Sequence, residues 1–119
     1  MISKSKQIYF LRPTQMEGPI KIGCSRWPEQ RLWSLAKWSP VPLELLANAD
    51  GDHTLERALH RLFAADRSHK EWFRTSRALV AGIDAVRDGA PIDAAFGLVL
   101  TLTGRTWPKS RYVQSARAA

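Results

Sequence analysis

Apolar positions recur every second residue in two short runs near the start of the chain. Residues 7–12, Q-I-Y-F-L-R, are β-branched and aromatic and end at Pro13, which cannot continue a central strand, while I-K-I at 20–22 stops at Gly23. Each run predicts a strand. Residues 13–19, P-T-Q-M-E-G-P, begin and end in proline and read as the loop of a hairpin between them. If Ile8, Phe10, Ile20 and Ile22 face the core, alternation puts Tyr9, Lys21 and Gly23 together on the opposite face, where a phenol and an ammonium can reach one ligand. The alternative is that Tyr9 packs beneath a helix and Lys21 is a solvated edge charge, and those residues alone favour it.

The period then lengthens. From about Pro28 to Lys37 a helix is predicted with Leu32, Leu35 and Ala36 on one stripe and Arg31 at its edge beside Ser34. Trp27, Trp33 and Trp38 surround it. An exposed tryptophan can stack on a base, but three of them beside a small core are expected to fill that core. S-P-V-P at 39–42 breaks the helix, and L-E-L-L-A-N-A predicts a third strand. Asp52 closes a turn cluster and caps a helix from His53 to about Ala65, whose stripe is Leu55, Ala58, Leu59, Leu62 and Phe63. Glu56 lies at the margin of this stripe with His60 one turn on. It suits a partly desolvated metal-binding acid, and equally a solvated carboxylate pairing with His60 or Arg57. A short aromatic segment, H-K-E-W-F, precedes a helix capped by Thr75 or Ser76, carrying Leu79, Val80, Ile83 and Val86 and stopping at Gly89. Beyond Pro91 the pattern fits helix and strand equally.

These elements predict an α/β (α+β) domain with a small, mainly antiparallel three-stranded sheet flanked by helices. A core at 7–75 is followed by an additional C-terminal helix at 76–89 and a basic tail at 90–119. A chain of 119 residues builds one modest core, and 45% hydrophobic with 24% charged residues excludes wholesale disorder. Cys24 is the single cysteine, which excludes an internal disulfide and a cysteine-rich zinc site and suits a reducing cytoplasm. No apolar run reaches membrane-spanning length, so a cytoplasmic protein without a membrane partner is expected. The net charge of +7 points to an acidic partner, nucleic acid first. It is uneven: residues 1–40 hold seven Lys/Arg against two Asp/Glu, 41–100 seven against nine, and 101–119 four against none. Two basic ends frame an acidic middle. Lys37, Arg105, Lys109 and Arg111 are accordingly the candidate nucleic-acid contacts.

The order of the motifs is more specific than any one of them. I-Y-F on one strand, K-I-G on the next, an arginine eight residues beyond that glycine and a helix reading L-E-R-A-L-H-R-L-F together resemble the GIY-YIG endonuclease superfamily. K-I-G-C-S-x-x-P-E-x-R-L, S-P-x-P-L-E-L-L and E-W-F look like its small phage and bacterial branch, over roughly residues 7–75. The resemblance implies a Mg²⁺- or Mn²⁺-dependent endonuclease acting on DNA, with RNA not excluded. It gives Tyr9 a part in activating water, Lys21 the place usually held by a second tyrosine, and Gly23 the structural glycine. Arg31 becomes the phosphate-stabilising arginine and Glu56 the ligand of one metal ion, while His60 orients water or touches phosphate. Glu71 is a further acid, ranked below Glu56 because its E-W-F setting looks structural. Gln7 replaces the first glycine and Lys21 the second tyrosine, although K-I-G looks usual in this branch. An ammonium beside Tyr9 is expected to favour its phenolate. The alternatives are a non-catalytic nucleic-acid-binding module on the same fold and, far behind, a hydrolase using Cys24 and His60. Oligomeric state is not legible.

Overall fold

A computed structural model describes residues 5–14, 17–100 and 106–108. β1 (Gln7–Pro13) and β2 (Ile20–Ser25) form the expected antiparallel hairpin, with Tyr9 opposite Gly23, Phe10 opposite Ile22 and Leu11 opposite Lys21. α1 (Pro28–Ala36) follows, then β3 (Leu43–Asp50), which pairs antiparallel with the other side of β1 through a register shift between Phe10 and Leu11.

The sheet has five strands rather than three. After α2 (His53–Leu62) and a single 3₁₀ turn, β4 (Arg67–His69) and β5 (Trp72–Phe73) add a small hairpin to the free edge of β2, giving the order β3-β1-β2-β5-β4. Strands of three and two residues are too short to show an alternation, which is why the pattern offered only an aromatic segment there. Lys70 makes the tight turn between them at φ 53°, a left-handed conformation that leaves Glu71 beside β2. The Ile22 N–H donates to the Glu71 carbonyl at 3.1 Å.

α3 (Arg77–Arg87) is capped by Ser76, whose hydroxyl accepts from the Leu79 N–H. α4 (Ile92–Phe96) and β6 (Leu98–Leu100) resolve the ambiguity beyond Pro91: both a helix and a strand form, divided at Gly97, and β6 pairs with β7 (Thr106–Pro108) in a separate ribbon. The remaining tail, with Arg105, Lys109 and Arg111, lies outside the described residues. Among the described residues no helix is long and apolar enough to cross a membrane.

One face of the sheet carries the core. Ile8, Phe10, Ile20 and Ile22 pack with Leu59 and Phe63 of α2, Leu79 and Ile83 of α3, and Phe96 of α4. Each such side chain contributes about 1.5–3 kcal/mol when fully buried. A one-residue slip of the hairpin would turn all four strand residues outward, so burial itself fixes the register. The opposite face holds Tyr9, Leu11, Lys21 and Gly23, all buried, with α1 above them. That separation of faces is what creates a site. α3 reaches the core through a contact that only glycine permits, since a Cβ on Gly82 would overlap the Phe96 ring. Gly82→Ala is therefore expected to destabilise the fold by about 1–3 kcal/mol through overpacking, read as a lower denaturant midpoint with an unchanged slope.

Candidate active site

The phenol of Tyr9 is the centre of the buried polar face. The distal end of its ring, Cζ and the hydroxyl, occupies the space a side chain at position 23 would need, so the ring crosses β2 only because Gly23 has no Cβ. Its hydroxyl is thereby brought near charged groups of α1, α2 and the β4–β5 turn. Arg31 of α1 hydrogen-bonds it, and the carboxylates of Glu71 and Glu56 act on it electrostatically.

Arg31 gets there from an exposed helix face. α1 starts with Pro28, whose missing N–H is harmless in a first turn, and the Trp27 carbonyl accepts from the Arg31 N–H at 2.9 Å. Four residues on from the strand–helix corner, the guanidinium hangs over the sheet face that Tyr9 occupies.

Glu56 sits in the first turn of α2, where Asp52 accepts from the Thr54 and Leu55 N–H groups at 3.0 and 3.3 Å. Its side chain is 10% exposed, and the ring N–H of His53 donates to its Oε1 at 2.9 Å. The carboxylate's partner is thus His53, three residues back, rather than His60 or Arg57. His60 turns elsewhere: its Nε2 donates to the Ile22 carbonyl at 2.9 Å, and its ring packs against Phe73. A carbonyl can only accept, so Nε2 carries the proton of this bond.

Lys21 is not a solvated edge charge. It is 7% exposed, and its ammonium donates to Glu71 Oε1 at 2.5 Å. Such a pair is strong in geometry because a buried ammonium without its carboxylate would be heavily penalised. Glu71 thereby stands beside the site, paired with Lys21 and acting on Tyr9 electrostatically. The turn conformation of Lys70 brings it in, and nothing in the spacing of the sequence announces a left-handed lysine.

The expected lowering of the Tyr9 pKa does not occur. Burial raises it above the ordinary 10.0, the Arg31 hydrogen bond and charge pull it down, and Glu71 and Glu56 push it further up; the rise prevails. Lys21 is spent on Glu71 instead. At neutral pH the phenol therefore keeps its proton. Cys24, on the core face of β2, is also raised by burial, with Glu56 adding to the rise, and its thiol donates to the Gly51 carbonyl at 3.7 Å. A protonated, internally bonded thiol is a poor nucleophile. Lys37, the remaining described candidate for nucleic-acid contact, is exposed with its ammonium 4.1 Å from the centre of the Trp33 ring.

The arrangement offers one cation hydrogen-bonded to a neutral phenol, with two carboxylates near enough to act on that phenol electrostatically. Among the described residues no group of three or more His, Cys, Asp or Glu side chains is gathered as a metal cage. A single carboxylate suits a hard cation that keeps most of its waters.

The T5orf172 domain matches residues 6–88, a span that contains Tyr9, Lys21, Gly23, Arg31, Glu56, His60 and Glu71. Neither the curated proteins nor the solved structures hold a significant match.

The raised Tyr9 pKa has a definite sign in stability. The folded state holds this proton more tightly than the unfolded chain, so the contribution is fully present below pH 10 and is lost as the pH climbs through the folded pKa. Tyr9→Phe should remove a phenolate absorbance transition that begins above pH 10 and should flatten the alkaline decline of the denaturation midpoint. A Tyr9 transition centred at or below pH 10 would place the phenol outside a desolvated site.

Proposed function

The chain belongs to the T5orf172 domain family, and from that premise we propose that it is a metal-dependent endonuclease hydrolysing DNA phosphodiester bonds at the Tyr9 cleft by a GIY-YIG-type mechanism. The family is consistent with a nuclease-like or DNA-binding role. The observation that carries the reading is the hydrogen bond of Arg31 to the Tyr9 hydroxyl, with Glu71 and Glu56 near enough to act on that phenol electrostatically.

Glu56 would hold a hydrated Mg²⁺ or Mn²⁺ ion, and when bound that ion supplies Lewis-acid polarisation of the phosphoryl group and stabilises the leaving oxygen. The protein's own groups do the rest. Arg31 is a permanent cation placed where charge grows on the phosphoryl oxygens, and it needs no reorganisation to act. Its hydrogen bond to the Tyr9 oxygen leaves the phenol O–H free to donate. A phenol that is neutral at pH 7 accepts a proton from water only as it releases its own. Glu71, whose charge already acts on Tyr9, is the acceptor within the same cluster, and Lys21 holds that carboxylate in position. His53 orients the Glu56 carboxylate by donating to one of its oxygens. His60 aligns α2 with β2 through Ile22 and acts on the site by positioning it.

The second reading, a nucleic-acid-binding module without catalysis, draws on the basic first forty residues and on the replacement of a second phenol by Lys21. The two separate in a nicking assay. With supercoiled plasmid and Mg²⁺ the wild type should cleave, and Arg31→Ala and Glu56→Gln should each lower the rate by about a hundredfold or more, the scale for losing one preorganised charge-stabilising group. Equal nicking by all three proteins would remove Arg31 and Glu56 from the chemistry, whereas salt-sensitive binding without nicking in either metal would select the binding module.

A further inference from the structure

The tryptophans around α1 do not fill the core. Trp27 is 46% exposed, Trp33 67% and Trp38 89%, and of the helix itself only Pro28 is fully buried. Tryptophan is highly buried on average, so the exposed indoles of Trp33 and Trp38, with half-exposed Trp27 at the other end of the same nine-residue helix, mark a surface with a use. We propose that this surface is a stacking platform for unpaired bases, and that the DNA taken by the Tyr9 cleft is single-stranded or locally unpaired; the inference rests on the nuclease reading above.

Its position and charge point to this occupant. The Trp27 carbonyl accepts from the Arg31 N–H at 2.9 Å, and the Trp38 N–H donates to the Leu35 carbonyl at 3.1 Å, so both residues prolong the turns of α1. Trp27 is the N-cap residue of α1 and Trp38 follows its C-cap Lys37, so an indole flanks each end of the helix whose arginine bonds Tyr9. Trp33 lies on the adjoining face with the Lys37 ammonium 4.1 Å from its ring centre. Arg26, Arg31 and Lys37 are exposed there against Glu29 alone, so the platform is cationic as well as aromatic. Phosphates beside unstacked bases satisfy both characters. A continuous duplex presents its phosphates but hides the base faces that an indole needs.

Binding is measured without divalent metal, using a labelled oligothymidine and a duplex of the same length. The wild type should prefer the single strand, with quenching of tryptophan fluorescence. Trp33→Ala and Trp38→Ala should each weaken that binding by about fivefold or more, leaving duplex binding and thermal stability unchanged. Equal affinity for the two DNA forms, or single-strand affinity untouched in both variants, would overturn the platform. So would self-association of the wild type in sedimentation that both substitutions abolish, since the indoles would then cover a second copy. Failure of the nuclease reading appears separately, as absent nicking in Mg²⁺ with stacking intact.

Discussion

Everything in the cleft depends on one close approach, the ring of Tyr9 lying across β2 at Gly23. A methyl group at that position would overlap the phenol, and the ring would have to leave the sheet surface. Its hydroxyl would then lose Arg31 from α1 and the neighbourhood of Glu56 and Glu71 together. The antiparallel register that sets Tyr9 opposite Gly23 is held from the other side of the same strands, where Ile8, Phe10, Ile20 and Ile22 pack into the core. Core burial thus secures the site without sharing a residue with it.

The same burial decides the protonation of the centre. A phenol out of water is harder to ionise, and a single guanidinium does not reverse this while two carboxylates stand nearby. Lys21, which on charge alone would favour the phenolate, is drawn instead to the nearer and stronger demand of Glu71. The site therefore pairs a neutral phenol with a permanent cation. Its two acids differ in partner: Glu56 accepts from a neighbouring imidazole, and Glu71 pairs with a buried ammonium.

α1 stands apart from the other helices. α2 and α3 have strong apolar stripes in the core, while α1 is held by its entry corner, by half-buried Leu32 and Leu35, and by Arg31 reaching down to Tyr9. A helix so lightly buried keeps its indoles outside because the face above the hairpin is already occupied by Tyr9, Leu11 and Lys21. The expectation that three tryptophans would complete a small core failed for that reason: the core closed on the opposite face of the sheet, with α4 supplying Phe96 to it.

Local chemistry in the sequence was enough to determine the hairpin, the α1 corner, the Asp52 cap, a second cap at Thr75 or Ser76, and the side of the sheet on which Tyr9, Lys21 and Gly23 lie. Period-two alternation and capping hydrogen bonds are short-range, so a single chain carries them legibly. The two short strands that complete the sheet, the turn at Lys70 that brings Glu71 to Lys21, and the choice of His53 over His60 as the partner of Glu56 were not legible. Each depends on which groups lie beside one another after the chain has folded back across tens of residues. The sequence thus determined which charges the protein possesses and roughly where on its elements they sit. Only the tertiary structure decided which of them meet, because pairing and desolvation depend on distances between elements that no local pattern encodes.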